Sequence, residues 1–120
     1  YAGLDELIRT ADAVTLHVPL VDTTRGLFSA ARIGQMKKGA VLINTSRGHI
    51  VDIAAVSTAL RSGQLGGAAI DVFDVEPLPA SAALQGCPNR LLTPHISGLS
   101  MQSNERVSFM IADMVLESLK

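Results

Sequence analysis

The chain predicts an α/β fold built on a parallel sheet, and three observations carry that expectation. Short β-branched runs alternate with segments of helical spacing, glycines and prolines punctuate them, and each apolar run gives way to polar residues. With 120 residues, 48% of them hydrophobic and 18% charged, and a mean hydropathy of +0.32, the chain is long and apolar enough to bury one core. One domain, or part of one, is the ceiling.

Each element has a local reason. Leu4, Leu7, Ile8 and Ala11 recur at helical spacing, and 13–18 reads as a buried strand stopped by Pro19. Residues 21–28 read as a polar connection. Ser29 can cap a short helix through Met36, with Lys37 and Lys38 at its negative end and Gly39 suited to a left-handed stop. A strand at 40–44 follows, then a loop over 45–51. Asp52 is a natural N-cap for a helix carrying Ile53, Val56, Ala59 and Leu60 on one face, ended by Ser62 and Gly63. Residues 66–73 form a third strand whose small side chains let a helix approach. Pro77 and Pro79 enforce irregular backbone, 91–93 is a short fourth strand closed by Pro94, and a last helix from about Ser100 carries Val107, Met110, Ile111, Met114 and Leu119.

Composition removes several function classes. Ten Lys and Arg balance eleven Asp and Glu to a net charge of -1, and their scatter leaves no basic stripe for a phosphate backbone or an anionic bilayer. Aromatics at 3% and the absence of Trp argue against stacking on bases. The longest apolar run, at 39–43, is far short of the roughly 20 residues that span a bilayer, and no charged-then-apolar leader opens the chain. Cys87 has no second thiol for a disulfide or a zinc knuckle. The expectation is a soluble, cytoplasmic protein without nucleic-acid or membrane partners. No His, Cys or carboxylate pair has ligand spacing, so no metal is expected.

In open α/β sheets, ligands sit beyond the carboxyl ends of the strands. There the chain has Asn44, Thr45, Ser46, Arg47 and Gly48, then Asp71, Asp74 and Glu76, then Thr93, Pro94 and His95. Singly these are ordinary: an Arg before Gly in a turn, a solvated Glu before Pro, a His closing a loop. After three successive buried strands, Arg47, Glu76 and His95 can converge, and a cation, an acid and an imidazole make a proton-transfer site for an anionic substrate. His17, inside a strand, and His49, in an exposed loop, are assigned no chemistry. Asp12, Asp22, Glu105 and Arg106 read as solvated charges.

The ordered signatures 44–52, 67–73 with Glu76 and Pro77, and 92–98 strongly resemble the D-isomer-specific 2-hydroxyacid dehydrogenases, and 17–20 and 36–40 extend the likeness over nearly the whole chain. The resemblance implies a Rossmann-type parallel sheet with flanking helices. It also implies that 1–120 is only the C-terminal half of the cofactor domain, with the later strands, the catalytic loops and the start of the returning helix. The phosphate-binding loop and substrate domain would lie outside these residues, and no G-x-G-x-x-G occurs. The implied activity is hydride transfer between a nicotinamide cofactor, NAD with NADP left open, and a small 2-oxo or 2-hydroxy carboxylate, in a family that works as a homodimer. Arg47 would grip the substrate carboxylate, His95 would be the acid/base, and Glu76 would hold the imidazole. Asp71 would meet the nicotinamide carboxamide. Pro19 would border the adenosine side, Thr45, Ser46 and Arg47 would line the cofactor, and the loop with His95, Ser97 and Gly98 would close beside the ring.

The physics of these residue types agrees. A planar guanidinium binds a carboxylate through two parallel hydrogen bonds, an imidazolium can protonate a developing alkoxide, and hydride chemistry needs a cofactor. Ser97, where many relatives have Gly, and 99–104 leave the substrate subgroup open, while Glu76 argues against the formate dehydrogenase branch, which pairs its His with Gln. The rival reading is a dinucleotide-sensing binding protein of the C-terminal-binding-protein corepressor type, which has the same fold and triad and would not turn over 2-oxo acids. A third is an inert structural piece.

Overall fold

The computed structural model describes residues 2–79 and 83–120. Four parallel strands, β1 (Ala13–Leu16), β2 (Ala40–Asn44), β3 (Leu65–Ile70) and β4 (Arg90–Leu92), lie side by side in chain order, with helices α1 (Leu4–Thr10), α2 (Ala30–Gln35), α3 (Ile53–Ser62) and α4 (Met101–Ser118). A 3-10 turn, Gly48–Ile50, follows β2. Parallel pairing demands a crossover between strands, and α2 and α3 supply the first two.

The strands differ from the expected runs at their ends. β1 stops at Leu16, leaving His17 and Val18 outside, and β3 begins at Leu65 and ends at Ile70, so that 71–73 leave the sheet. The reason is register. Leu16 stands beside Asn44, Asn44 beside Ile70, and Ile70 beside Leu92, so all four strands finish in one row and share a crest.

One face of the sheet is covered. Val14, Leu16, Leu42, Ala68 and Ile70 join Ile33, Val56, Ala59 and Leu60 from α2 and α3 in one buried cluster. Residues of the opposite pleat, Thr15, Ile43, Ala69 and Leu91, are exposed or half-buried. Asp52 caps α3 as expected, its carboxylate accepting from the Ala55 amide at 3.0 Å, and Gly63 ends it at φ 74°. Ser29 stands at the N-cap of α2 but makes no side-chain cap bond. The connection 21–28 is not wholly polar: Phe28 is fully buried and bridges Val51, because the amides of Gly26, Phe28 and Asp52 stitch this loop to the 3-10 turn.

Ser100 caps α4 through the Ser103 amide, and none of the helix's residues is buried, so its apolar stripe stands uncovered. No helix among the described residues is long and apolar enough to cross a membrane.

Candidate active site

Beyond the crest, polar side chains hold the loops in place. Asn44, fully buried, accepts the Ser46 amide at 3.1 Å and donates to the Arg47 carbonyl at 3.0 Å, which bends the chain after β2. Ser46 Oγ donates across the sheet to the Leu16 carbonyl at 2.6 Å. Gly48 is required by close approach: a Cβ there would overlap the backbone of Phe73 and Asp74.

Asp71 organises the fourth strand's loop. Its carbonyl accepts the His95 amide at 2.8 Å, Oδ1 accepts the Ile96 amide at 2.9 Å and the Thr93 hydroxyl at 2.5 Å, and Oδ2 accepts the Ser97 amide at 3.0 Å. This carboxylate is only 3% exposed. Burial pushes its pKa up, but the bonds from Ser97, Thr93 and Ile96 outweigh burial and hold it well below the usual carboxylate range. The same bonds fix His95 at φ 56°, a left-handed conformation that a non-glycine residue keeps only when its surroundings enforce it.

Glu76 then meets His95. Its Oε1 accepts the Phe73 amide at 2.8 Å, and its Oε2 lies 2.8 Å from His95 Nδ1. The Phe73 amide and the His95 ring lower the Glu76 pKa, which favours the ionised, acceptor-only form. Nδ1 therefore carries the proton toward Glu76, and Nε2 is the nitrogen left open to another partner.

Arg47, Glu76 and His95 line one small cavity of about 210 Å³. Larger hollows adjoin it: one of about 640 Å³ lies on the far side of Glu76 and His95, toward Leu78 and Leu92, and two more run along the crest. One, about 550 Å³, lies between 17–20 and 45–47 and includes Pro19, Thr45 and Ser46. The other, about 530 Å³, is bordered by Thr45, Arg47, His95, Ser97 and Gly98. They share Thr45 and Arg47, so together they form an extended groove ending at the imidazole, and Gly98 leaves open space on that side. Asp71 borders neither crest hollow; its carboxylate is spent on 93–97. His17 lies outside the strand, is exposed, and pairs with the Thr15 hydroxyl at 2.9 Å. His49 is exposed as expected but has a carboxylate, Asp74, 3.5 Å from Nδ1, and Asp12 pairs with Lys37 at 2.5 Å.

The strand-end pattern includes Asn44, Thr93 and Asp74 but assigns them no task, whereas the fold uses Asn44 and Thr93 to close loops and sets Asp74 beside His49. The available signal was a polar residue at the last position of an apolar strand or just beyond it, where a side chain can close the loop that follows.

The family description "D-isomer specific 2-hydroxyacid dehydrogenase, NAD binding domain" matches residues 1–97. The chain belongs to this dehydrogenase family. It is 47% identical over 116 residues to (S)-sulfolactate dehydrogenase of Chromohalobacter salexigens, covering 97% of the chain and 38% of that protein. Among solved structures it resembles a D-isomer specific 2-hydroxyacid dehydrogenase from Xanthobacter autotrophicus Py2 in complex with NADPH and MES, with TM-score 0.77 and 40% identity over 83% of this chain and 32% of that one. It also resembles an NAD-dependent formate dehydrogenase from Staphylococcus aureus in complex with NAD, with TM-score 0.85 and 34% identity over 99% of this chain and 36% of that one. The chain spans 28–38% of the length of the curated relatives it matches.

Proposed function

We propose that the protein carrying this chain interconverts a small 2-oxo acid and its 2-hydroxy acid with a nicotinamide cofactor, and that 1–120 is the later part of its dinucleotide-binding domain. The phosphate-binding loop and substrate domain are then supplied by segments outside these residues. The observation that carries the reading is the 2.8 Å pair of His95 Nδ1 and Glu76 Oε2 on the rim of a cavity shared with Arg47.

Each residue has a task that its chemistry suits. Arg47 offers a fork of donors to the substrate carboxylate, which orients the carbonyl. His95 Nε2 donates a proton to the carbonyl oxygen in the reductive direction and takes it back in the oxidative one. Glu76 fixes the ring by its other nitrogen. Thr45, Ser46, Ser97, Gly98 and Pro19 border the dinucleotide, which when bound supplies or accepts the hydride. Asp71 acts through the loop it holds rather than by touching the cofactor. NAD is the preferred cofactor in this reading, and the full-length protein is a homodimer, as the family likeness implies, working in the cytoplasm, as its composition and lone cysteine suggest.

The test is turnover of 2-oxo acids with NADH by the full-length protein. Reductive kcat/KM falls with rising pH while oxidative kcat/KM climbs, and His95→Ala abolishes both. Arg47→Lys replaces a two-pronged grip by a point charge and lowers kcat/KM on the order of 10²–10³. Near-parental turnover by the Lys variant refutes the clamp. NADH binding without turnover of any 2-oxo acid replaces the enzyme by the dinucleotide-sensing reading.

A further inference from the structure

The cavity that holds Arg47 and His95 contains a second imidazole. His49 lines it too, and its Nδ1 lies 3.5 Å from Asp74 Oδ1. The arrangement is a looser counterpart of the His95 and Glu76 hydrogen bond at 2.8 Å, with the two carboxylates only two residues apart in one loop. In both pairs Nδ1 is turned to a carboxylate, so in both Nε2 is the nitrogen left for a ligand.

The position of His49 is built, not incidental. Gly26 donates its amide to the His49 carbonyl at 2.8 Å, the 3-10 turn holds its backbone, and Gly48 brings that turn against the 73–74 backbone. Charges facing the cavity are Arg47, His49 and His95 against Asp74 and Glu76. Each carboxylate has an imidazole beside it. Among the described residues the Arg47 guanidinium makes one hydrogen bond, to its neighbour's carbonyl, Ser46 O, at 2.6 Å. With His95 Nε2 given to the substrate carbonyl, the donors left for a tail are the rest of the Arg47 fork and, when its ring is protonated, the Nε2–H of His49, two residues apart. A single carboxylate engages the fork alone, whereas a second anionic group on the same small molecule can be met by His49.

We infer that His49, positioned by Asp74, is a specificity residue that favours 2-oxo acids bearing a second anionic group over those with a neutral tail. The inference rests on the dehydrogenase reading above and names its substrate class. The volume of about 210 Å³ has room for about seven waters at their liquid density, enough for the tail of a small dianion. Because the His49 side chain is 46% exposed, water competes for the contact. The discrimination it gives is on the order of tenfold, not the 10⁴ or more of a fully enclosed hydrogen-bonding site.

The experiment compares kcat/KM for oxaloacetate and 3-sulfopyruvate with kcat/KM for 2-oxobutanoate, in the full-length protein with NADH. The parent prefers at least one of the anionic-tailed acids. In His49→Leu the ratio of anionic to neutral substrate falls about tenfold, His49→Lys restores it, and Asp74→Asn lowers it through loss of the ring's anchor. The carboxylate and sulfonate arms tell which second anion is taken. A parent with no preference for either anionic tail, or a ratio unmoved in His49→Leu, overturns the inference while leaving the dehydrogenase reading intact. A parent that reduces none of the three overturns both.

Discussion

At the scale of single residues, Asp71 decides the shape of the site. It joins the end of β3 to the loop after β4 through four acceptor contacts, and so holds His95 in a left-handed conformation opposite Glu76. Asp71→Asn turns one acceptor oxygen into a donor facing amides or a hydroxyl. Leaving such buried donors unmatched costs about 1–3 kcal/mol, to be measured by urea unfolding of the full-length protein at neutral pH. The sign of the pH dependence follows from the lowered folded-state pKa. The carboxylate's contribution is complete above its ordinary value of 3.8 and is lost as pH falls from there through the lower folded value. The stability gap between parent and Asp71→Asn therefore narrows below that pH. A gap that is constant, or that widens in acid, contradicts the assigned bonds.

At the scale of elements, two N-caps that look alike in sequence differ in the fold. Asp52 closes the first turn of α3 through the Ala55 amide, whereas Ser29 makes no side-chain bond at the start of α2. Asp52→Ala should cost about 1 kcal/mol, while Ser29→Ala should stay within about 0.5 kcal/mol, as an unbonded surface substitution does. Denaturant midpoints of the two variants at an unchanged m-value check the difference. Equal losses would mean that Ser29 caps after all.

At the scale of the whole molecule, α4 sets the outline. The radius of gyration is 16.8 Å and the longest extent 57 Å, against about 14 Å expected for a compact domain of this length. An 18-residue helix is about 27 Å long, and here it carries Phe109, Met110, Ile111, Met114 and Leu116, each more than half exposed. An apolar stripe of this kind drives association. The 120-residue chain is expected to self-associate with rising concentration in sedimentation velocity, and the double variant Met110→Lys with Met114→Lys is expected to shift it toward monomer. A parent chain that stays monomeric at every concentration contradicts this.

Much was legible in the residues because its causes are local. An Asp before an amphipathic run makes a cap, a Gly at Gly63 makes a left-handed stop, and a β-branched run makes a strand, whatever lies far away in the chain. The polar residues after each strand could likewise be read as candidates, since strand ends are where loops over parallel sheets begin. What lies beyond was decided by the tertiary structure. Parallel pairing joins segments that are distant in sequence, and its register alone sets Leu16, Asn44, Ile70 and Leu92 in one row. From that row follow the meeting of Glu76 with His95, the diversion of Asp71 to the loop at 93–97, the burial of Phe28 and the pairing of His49 with Asp74. Each is a contact between loops from different strands, and no local pattern of apolar and polar residues encodes which loop end stands beside which.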